Sequence, residues 1–180
     1  MTLAWAVVPA PPPLRKLTVG VTDVGVLCLA FHDGAGALTA AARRTGHELV
    51  LDPARTDDAR QQLAGYLAGE RREFTLPLDW SLATGAQLSV LQRLAADVGY
   101  GQTTTYGELA RSSGAFPAAD GVIGARAVGT IMGANPLPVL VACHRVLAVD
   151  GLGGFGGGLP AKRWLLELEG ALPPTLDFGA

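Results

Sequence analysis

Cysteine is scarce in this 180-residue chain: there are two, Cys28 and Cys143, far apart and in unlike local patterns. Neither a disulfide framework nor a zinc cluster fits that usage, and a reducing, cytoplasmic setting is expected. Long apolar runs are missing as well. None approaches the roughly 20 residues of a membrane span, and the N-terminus lacks the basic-then-apolar layout of a secretory signal. Excess positive charge is also absent. Fourteen Lys and Arg against sixteen Asp and Glu leave a formal net charge of −2, so the simplest electrostatic footprint of a nucleic-acid binder is missing and any such role must rest on motifs. The glycine-rich run from Gly151 to Gly158 has no Lys-Ser/Thr ending, which excludes a Walker-type phosphate loop.

What remains is a globular composition long enough for one large or two small domains. The lead ending in Pro9-Ala10-Pro11-Pro12-Pro13 is stiff and is not assigned a regular element. Leu14 to Val21 and Val24 to Phe31 read as strands, with a turn at Asp33-Gly34. Cys28, inside the second strand, has no adjoining histidine or carboxylate and reads as core. His32 and His47 have ordinary loop or strand-edge explanations. The spacing of Ala59, Leu63, Tyr66 and Leu67 predicts a helix over 57–69, capped by Thr56 and stopped by Gly69. Turn and breaker residues between Pro77 and Gly85 place a domain boundary near 80.

Beyond it the pattern turns helical. One helix carries Leu88, Val90, Leu91 and Leu94 and ends at Gly99-Tyr100-Gly101; a short one runs from Tyr106 to Arg111; a third runs from Val122 to Gly133. Two helices across a turn outline a helix-turn-helix. The third helix is built of small residues, with Arg126 its only long polar side chain, so either close approach to a surface or helix–helix packing accounts for it. Pro160 opens a last helix whose Ala161, Trp164, Leu165 and Leu168 share a face, and Glu169 sits in its final turn, where a carboxylate opposes the helix dipole.

Chemistry is expected at Asn135-Pro136-Leu137-Pro138-Val139-Leu140-Val141-Ala142-Cys143-His144-Arg145-Val146. A β-branched run, kept extended by two prolines, ends in a cysteine with a histidine and an arginine behind it. Thiols react as thiolates, and neighbouring cations or proton acceptors lower the cost of that anion. Core packing competes, since a cysteine after three aliphatics is commonly buried.

Four stretches in order carry a resemblance: Thr105-Tyr106-Gly107-Glu108-Leu109-Ala110, Ala125-Arg126-Ala127-Val128-Gly129, Asn135-Pro136 leading to Cys143-His144-Arg145-Val146, and Gly157-Gly158-Leu159 before Lys162-Arg163-Trp164. They resemble the methylated-DNA–protein-cysteine methyltransferases, the 6-O-alkylguanine-DNA alkyltransferases, over residues 86–170. The resemblance implies an α+β chain: a small N-terminal α/β, ribonuclease H-like domain over 1–80 and a mainly helical domain with a helix-turn-helix over 81–180. It implies a monomer that needs no cofactor or metal, binds the minor groove of double-stranded DNA and flips out an alkylated guanine. The alkyl group then moves onto Cys143 in a single-turnover reaction.

By the same resemblance His144 takes the thiol proton, Glu169 orients that histidine, Asn135 braces the turn before the cysteine, and Tyr106 serves the departing guanine. Val146, Phe155 and Gly156 would frame the base. Arg126 would fill the vacated stack, with Tyr106, Gly107, Ala125, Ala127 and Gly129 against the DNA, and Arg145 would bridge the domains. The chain departs from the family in Ala142, where proline is usual, in a longer loop between Tyr106 and Arg126, and in Phe155, where tyrosine is usual. An alternative is an alkyltransferase-like protein that binds the lesion without efficient transfer. In such proteins another residue replaces the nucleophile, so Cys143 opposes it. A multiple-turnover thiol hydrolase leaves the helix-turn-helix without a purpose, and a helix-turn-helix regulator lacks a sensor site and a basic face.

Overall fold

The computed structural model describes residues 1–32, 34–116 and 121–174. Asp33 of the expected turn, and part of the loop before Arg126, lie outside them. The fold is mixed α+β. A four-stranded sheet has the order β3-β2-β1-β4, from β1 (Thr2–Pro9), β2 (Lys16–Val21), β3 (Val26–Phe31) and β4 (Glu48–Leu51). β1 and β2 are antiparallel, as are β2 and β3, whereas β4 joins β1 in parallel. The N-terminal stretch, which the proline-rich ending left unassigned, is therefore an inner strand of the sheet. Its prolines start at the strand's last residue, Pro9, and so cost the ladder little.

Helices α1 (Ala35–Thr45) and α2 (Asp57–Leu67) cover the sheet. Leu3, Leu27, Cys28 and Leu38 form one small core, closed where Gly20 leaves room for the Cys28 sulfur. Burial pushes the Cys28 thiol up to about 12, which makes it a packing group. Thr56 does not cap α2 through its side chain; its hydroxyl donates instead to the Asp52 and Pro53 carbonyls.

Leu17, Val19, Leu63 and Tyr66 belong to a larger core that continues into the second half through Leu91, Leu94, Leu109 and Leu165. That half holds α3 (Gly85–Asp97), β5 (Thr104–Thr105), α4 (Tyr106–Ser112), α5 (Gly121–Gly133), β6 (Val146–Leu147) and α6 (Leu159–Leu168), with β5 and β6 paired in parallel. Thr105 starts α4 with a reciprocal capping box: its hydroxyl accepts from the Glu108 amide, and Glu108 accepts from the Thr105 amide.

The halves are stitched through backbone. Leu29 of β3 donates to Pro136 O of the second half at 2.8 Å, and Val26 donates at the same distance to Pro77 O in the segment that leads into it. A Cβ on Gly25 would stand 2.2 Å from the Pro77 carbonyl oxygen, so only glycine admits the connecting segment so close to β3. Buried Asp79 completes the seam by accepting from the Thr22 hydroxyl at 2.6 Å and from the Ser81 amide at 3.0 Å. Asp79→Ala leaves those donors short of an acceptor, and urea denaturation is expected to show a loss of about 1–3 kcal/mol.

Candidate active site

The segment ahead of Cys143 is not the strand its β-branched residues promised. Pro136 and Pro138 cannot donate to a ladder, and the chain folds on itself: Val141 donates to Leu137 O at 2.8 Å and Cys143 to Val141 O at 2.7 Å. Val139 takes a left-handed φ of 73°, uncommon for a β-branched residue. Asn135 holds this coil through both ends of its amide, donating to Val141 O and accepting from the Leu137 N–H, each at 2.9 Å. Cys143 then opens a single 3-10 turn over Cys143–Arg145. Ala142 has a φ of −72°, inside the range a proline ring would impose, so the backbone keeps that shape without the ring.

This turn delivers His144 into the core, fully buried, with Nε2 2.9 Å from Glu169 Oε1. Glu169 follows α6 as its C-terminal cap and is tightly enclosed. Arg145 grips it with two parallel bonds, Nε to Oε2 at 2.9 Å and Nη2 to Oε1 at 2.8 Å. The Gly101 amide adds a bond to Oε2 at 3.2 Å, and the Tyr66 hydroxyl donates to Oε1 at 2.5 Å. The third Arg145 nitrogen donates to Val98 O at 2.6 Å. Arg145 makes these hydrogen bonds within 81–180, although it lines a pocket with Phe74, Leu76 and Leu78 of the first half; the hydrogen bond that reaches Glu169 from the first half is that of Tyr66.

The network sets the protonation states. Burial alone would raise the Glu169 carboxyl, but hydrogen bonds from His144, Arg145 and Tyr66 hold it well below the usual carboxylate range. An ionised Glu169 takes the proton-bearing nitrogen of His144, which must be Nε2. Nδ1 is then the basic nitrogen, and it is buried without a partner among the described residues. Burial keeps the imidazole below its ordinary 6.5, against the pull of Glu169. Burial likewise raises the Cys143 thiol above 9.0, while the Asn135 hydrogen bond and the Lys162 charge draw it back. At neutral pH the resting pair is a neutral thiol beside a neutral base.

Cys143 faces a pocket of about 450 Å³ lined by Tyr106, Gly129, Met132, Gly133, Cys143, Gly154, Phe155 and Gly156. Phe155 and Gly156 thus line the cavity, whereas Val146 does not. The Val146 carbonyl accepts instead from the buried Lys162 at 2.6 Å, and the same ammonium reaches Gly154 O at 3.1 Å. Burial lowers Lys162 to about 8. The Tyr106 hydroxyl donates to Gly154 O at 3.4 Å, and a Cβ on Gly153 would lie 2.7 Å from it, so this bend of the loop requires glycine.

On α5, Gly124 packs against Ala110, where a Cβ would come within 3.1 Å, while Gly129 and Gly133 open onto the cavity. Arg126 is exposed, with Ala125 and Ala127 partly so; Gly107 sits partly buried in the first turn of α4. Tyr66 and Lys162 were missed as site residues. Lys162 left a trace, a lysine sharing a helix face with Leu165 and Leu166; Tyr66 looked like any other core aromatic.

A thiol that lines a pocket, with a buried histidine and carboxylate directly behind it in the fold, defines a cysteine-nucleophile protein. Residues 86–171 match the DNA-binding domain of 6-O-methylguanine DNA methyltransferase. The Mycobacterium tuberculosis methylated-DNA–protein-cysteine methyltransferase is 44% identical over 125 residues, 69% of this chain and 71% of that protein. A Thermus thermophilus protein named as a DNA base-flipping protein is 44% identical over 167 residues, 90% of this chain and 98% of that one. Among solved structures, the Mycobacterium tuberculosis OGT in complex with DNA superposes with a TM-score of 0.75 at 36% identity, covering 96% of each chain. The chain belongs to the methylated-DNA–protein-cysteine methyltransferase family.

Carbamidomethylation of Cys143 by iodoacetamide, followed by intact mass against pH, tests the neutral pair. The rate is expected to hold its plateau down through pH 6.5 and to fall only below it, as Nδ1 protonates. His144→Ala is expected to slow the plateau by roughly 100-fold and to remove that acid limb.

Proposed function

We propose that this protein repairs 6-O-alkylguanine in DNA by moving the alkyl group onto its own Cys143. The single observation that carries this reading is the Cys143 thiol in its pocket, backed by the unpartnered Nδ1 of a histidine fixed on an ionised carboxylate. His144 Nδ1 takes the thiol proton, directly or through one water, and Glu169 balances the imidazolium. The sulfur attacks the alkyl carbon, a thioether S–C bond forms, and the C–O bond breaks with its electron pair left on guanine. Tyr106 donates a hydrogen bond as the purine departs. A thioether is a poor leaving group, so each molecule acts once.

The lesion reaches the pocket by extrusion, because a stacked base hides its 6-O substituent and a poorly paired one costs less to remove. In this reading α4 and α5 serve as a helix-turn-helix in the minor groove, with Tyr106, Gly107, Ala125, Ala127 and Gly129 against the backbone and Arg126 in the vacated stack. Phe155 and Gly156 flank the base, and the Val146 backbone instead anchors the Lys162 ammonium behind them. Residues 1–80, with their antiparallel strands and one parallel partner, form a ribonuclease H-like domain, residues 81–180 form the acceptor domain, and the protein acts as a monomer. A net charge of −2 implies few phosphate contacts and a shallow dependence of binding on salt.

A second reading, lesion binding without transfer, draws on the Thermus relative named as a DNA base-flipping protein. Incubation with a duplex carrying 6-O-methylguanine, followed by intact mass, separates the two. One methylene equivalent on Cys143, lost in Cys143→Ala, is the expected result; unmodified protein holding the duplex tightly supports the second reading. Arg126→Ala is expected to slow transfer from duplex by about tenfold or more while sparing transfer from free 6-O-benzylguanine, since only the duplex must be held open.

A further inference from the structure

The hydroxyl of Tyr66 is a buried group from the first half of the chain that stands inside the thiol's proton relay. It lies 2.5 Å from Glu169 Oε1 and 3.4 Å from His144 Nε2, so one carboxylate oxygen serves both the tyrosine and the histidine. The ring is locked by Phe74 at 5.1 Å and by Tyr100 at 6.2 Å between centroids, which leaves the hydroxyl little choice of partner. Glu169 does not need this bond to stay in place. Arg145 grips both of its oxygens and Gly101 holds Oε2. What the tyrosine alone changes is the share of negative charge left on Oε1 for the imidazole.

We propose that Tyr66 is a positioning residue of the alkyl-acceptor reaction, one that sets the basicity of His144 by competing with it for Glu169 Oε1, and so sets how readily Cys143 loses its proton. The inference rests on the reading of Cys143 as acceptor. Burial and the adjacent Glu169 charge raise Tyr66 far above its ordinary value, so it stays a neutral donor at every accessible pH. The other charged or titratable groups facing His144 are Glu169 and Lys162 from α6 and its turn, and Arg145 and Cys143 beside it. Behind Tyr66 stand Tyr100 and, 5.6 Å over the Tyr100 ring, Arg72. None of these shares Oε1 except Arg145, whose charge is fixed. On Oε1, the oxygen that faces the imidazole, the neutral donor among the described residues is therefore the Tyr66 hydroxyl, and it comes from α2.

The test is the pH profile of Cys143 carbamidomethylation by iodoacetamide in the full chain. Tyr66→Phe removes one donor from Oε1, so the acid limb is expected to move up by about half a pH unit, with a plateau rate about threefold higher. Replacing Tyr66 with 3-fluorotyrosine, a stronger donor of the same shape, is expected to move the limb down, and it decides the matter if the phenylalanine variant does not fold. Leu38→Ala opens the separate small core away from Tyr66 and Glu169 and is expected to lower the melting temperature with the limb unmoved. Superimposable profiles for wild type, Tyr66→Phe and the fluorinated protein overturn the proposal, as does an equal shift in Leu38→Ala. The assay contains no DNA. A wild-type protein that takes no methyl group from duplex yet shows the Tyr66 shifts refutes the repair reading and upholds this one; transfer with unmoved profiles does the reverse.

Discussion

Everything about the site depends on keeping the Glu169 side chain ionised in a place that excludes water. A bare carboxylate there would take up a proton, and its position at the end of α6 adds the unfavourable end of the helix dipole. Five hydrogen bonds prevent this, from His144, Tyr66, Gly101 and twice from Arg145. Those donors come from α2, the bend after α3 and the turn at 143–145. Folding must therefore bring three remote segments to α6 before the histidine has its orienting anion, and an incompletely satisfied network of this kind would be worse than an apolar core.

The same burial keeps the nucleophile quiet. A thiol raised above 9.0 and an imidazole lowered below 6.5 oppose charge separation in the resting protein. The Asn135 hydrogen bond and the Lys162 ammonium work the other way, and they favour the thiolate only at the moment the proton leaves. An acceptor that is consumed by its reaction gains from this balance, because a standing thiolate would be exposed to oxidation and to chance electrophiles. The cost is dependence on a well-placed base.

Much of this was legible in the chain because it is local. A cysteine followed by a histidine, a short helix starting at Tyr106, and the apolar spacing of α3 and α6 all act over a few residues. What escaped was set by distance or by geometry. β1 is an inner strand because β2 and β4 flank it, which the proline-rich ending at residues 9–13 concealed. The run before Cys143 has strand-forming side chains but two prolines and a left-handed Val139, so it coils instead of pairing. Tyr66 and Glu169 are 103 positions apart, and no pattern around either one announces the bond between them. Arg145 enters as a bridge only through the family resemblance, and its bidentate grip on Glu169 is set by a residue 24 positions away.

Helix α5 shows how a run of small residues resolves into separate uses once its faces are known. Gly124, Val128 and Met132, four apart, form the buried side, and Gly124 brings α5 against Ala110 of α4. Gly129 and Gly133, also four apart, open onto the cavity, while Arg126 projects to solvent. Close approach and helix packing are thus both present, on different faces. Each glycine lowers helix stability by about 1 kcal/mol relative to alanine, a cost borne where a side chain would fill the pocket or push the helices apart. On the proposed reading, the residue that holds the duplex open and the wall that receives the base belong to one rigid element. Gly129 lies three residues beyond Arg126, about 4.5 Å further along the helix axis, so the depth to which Arg126 enters the stack is coupled to where the extruded guanine meets the cavity wall.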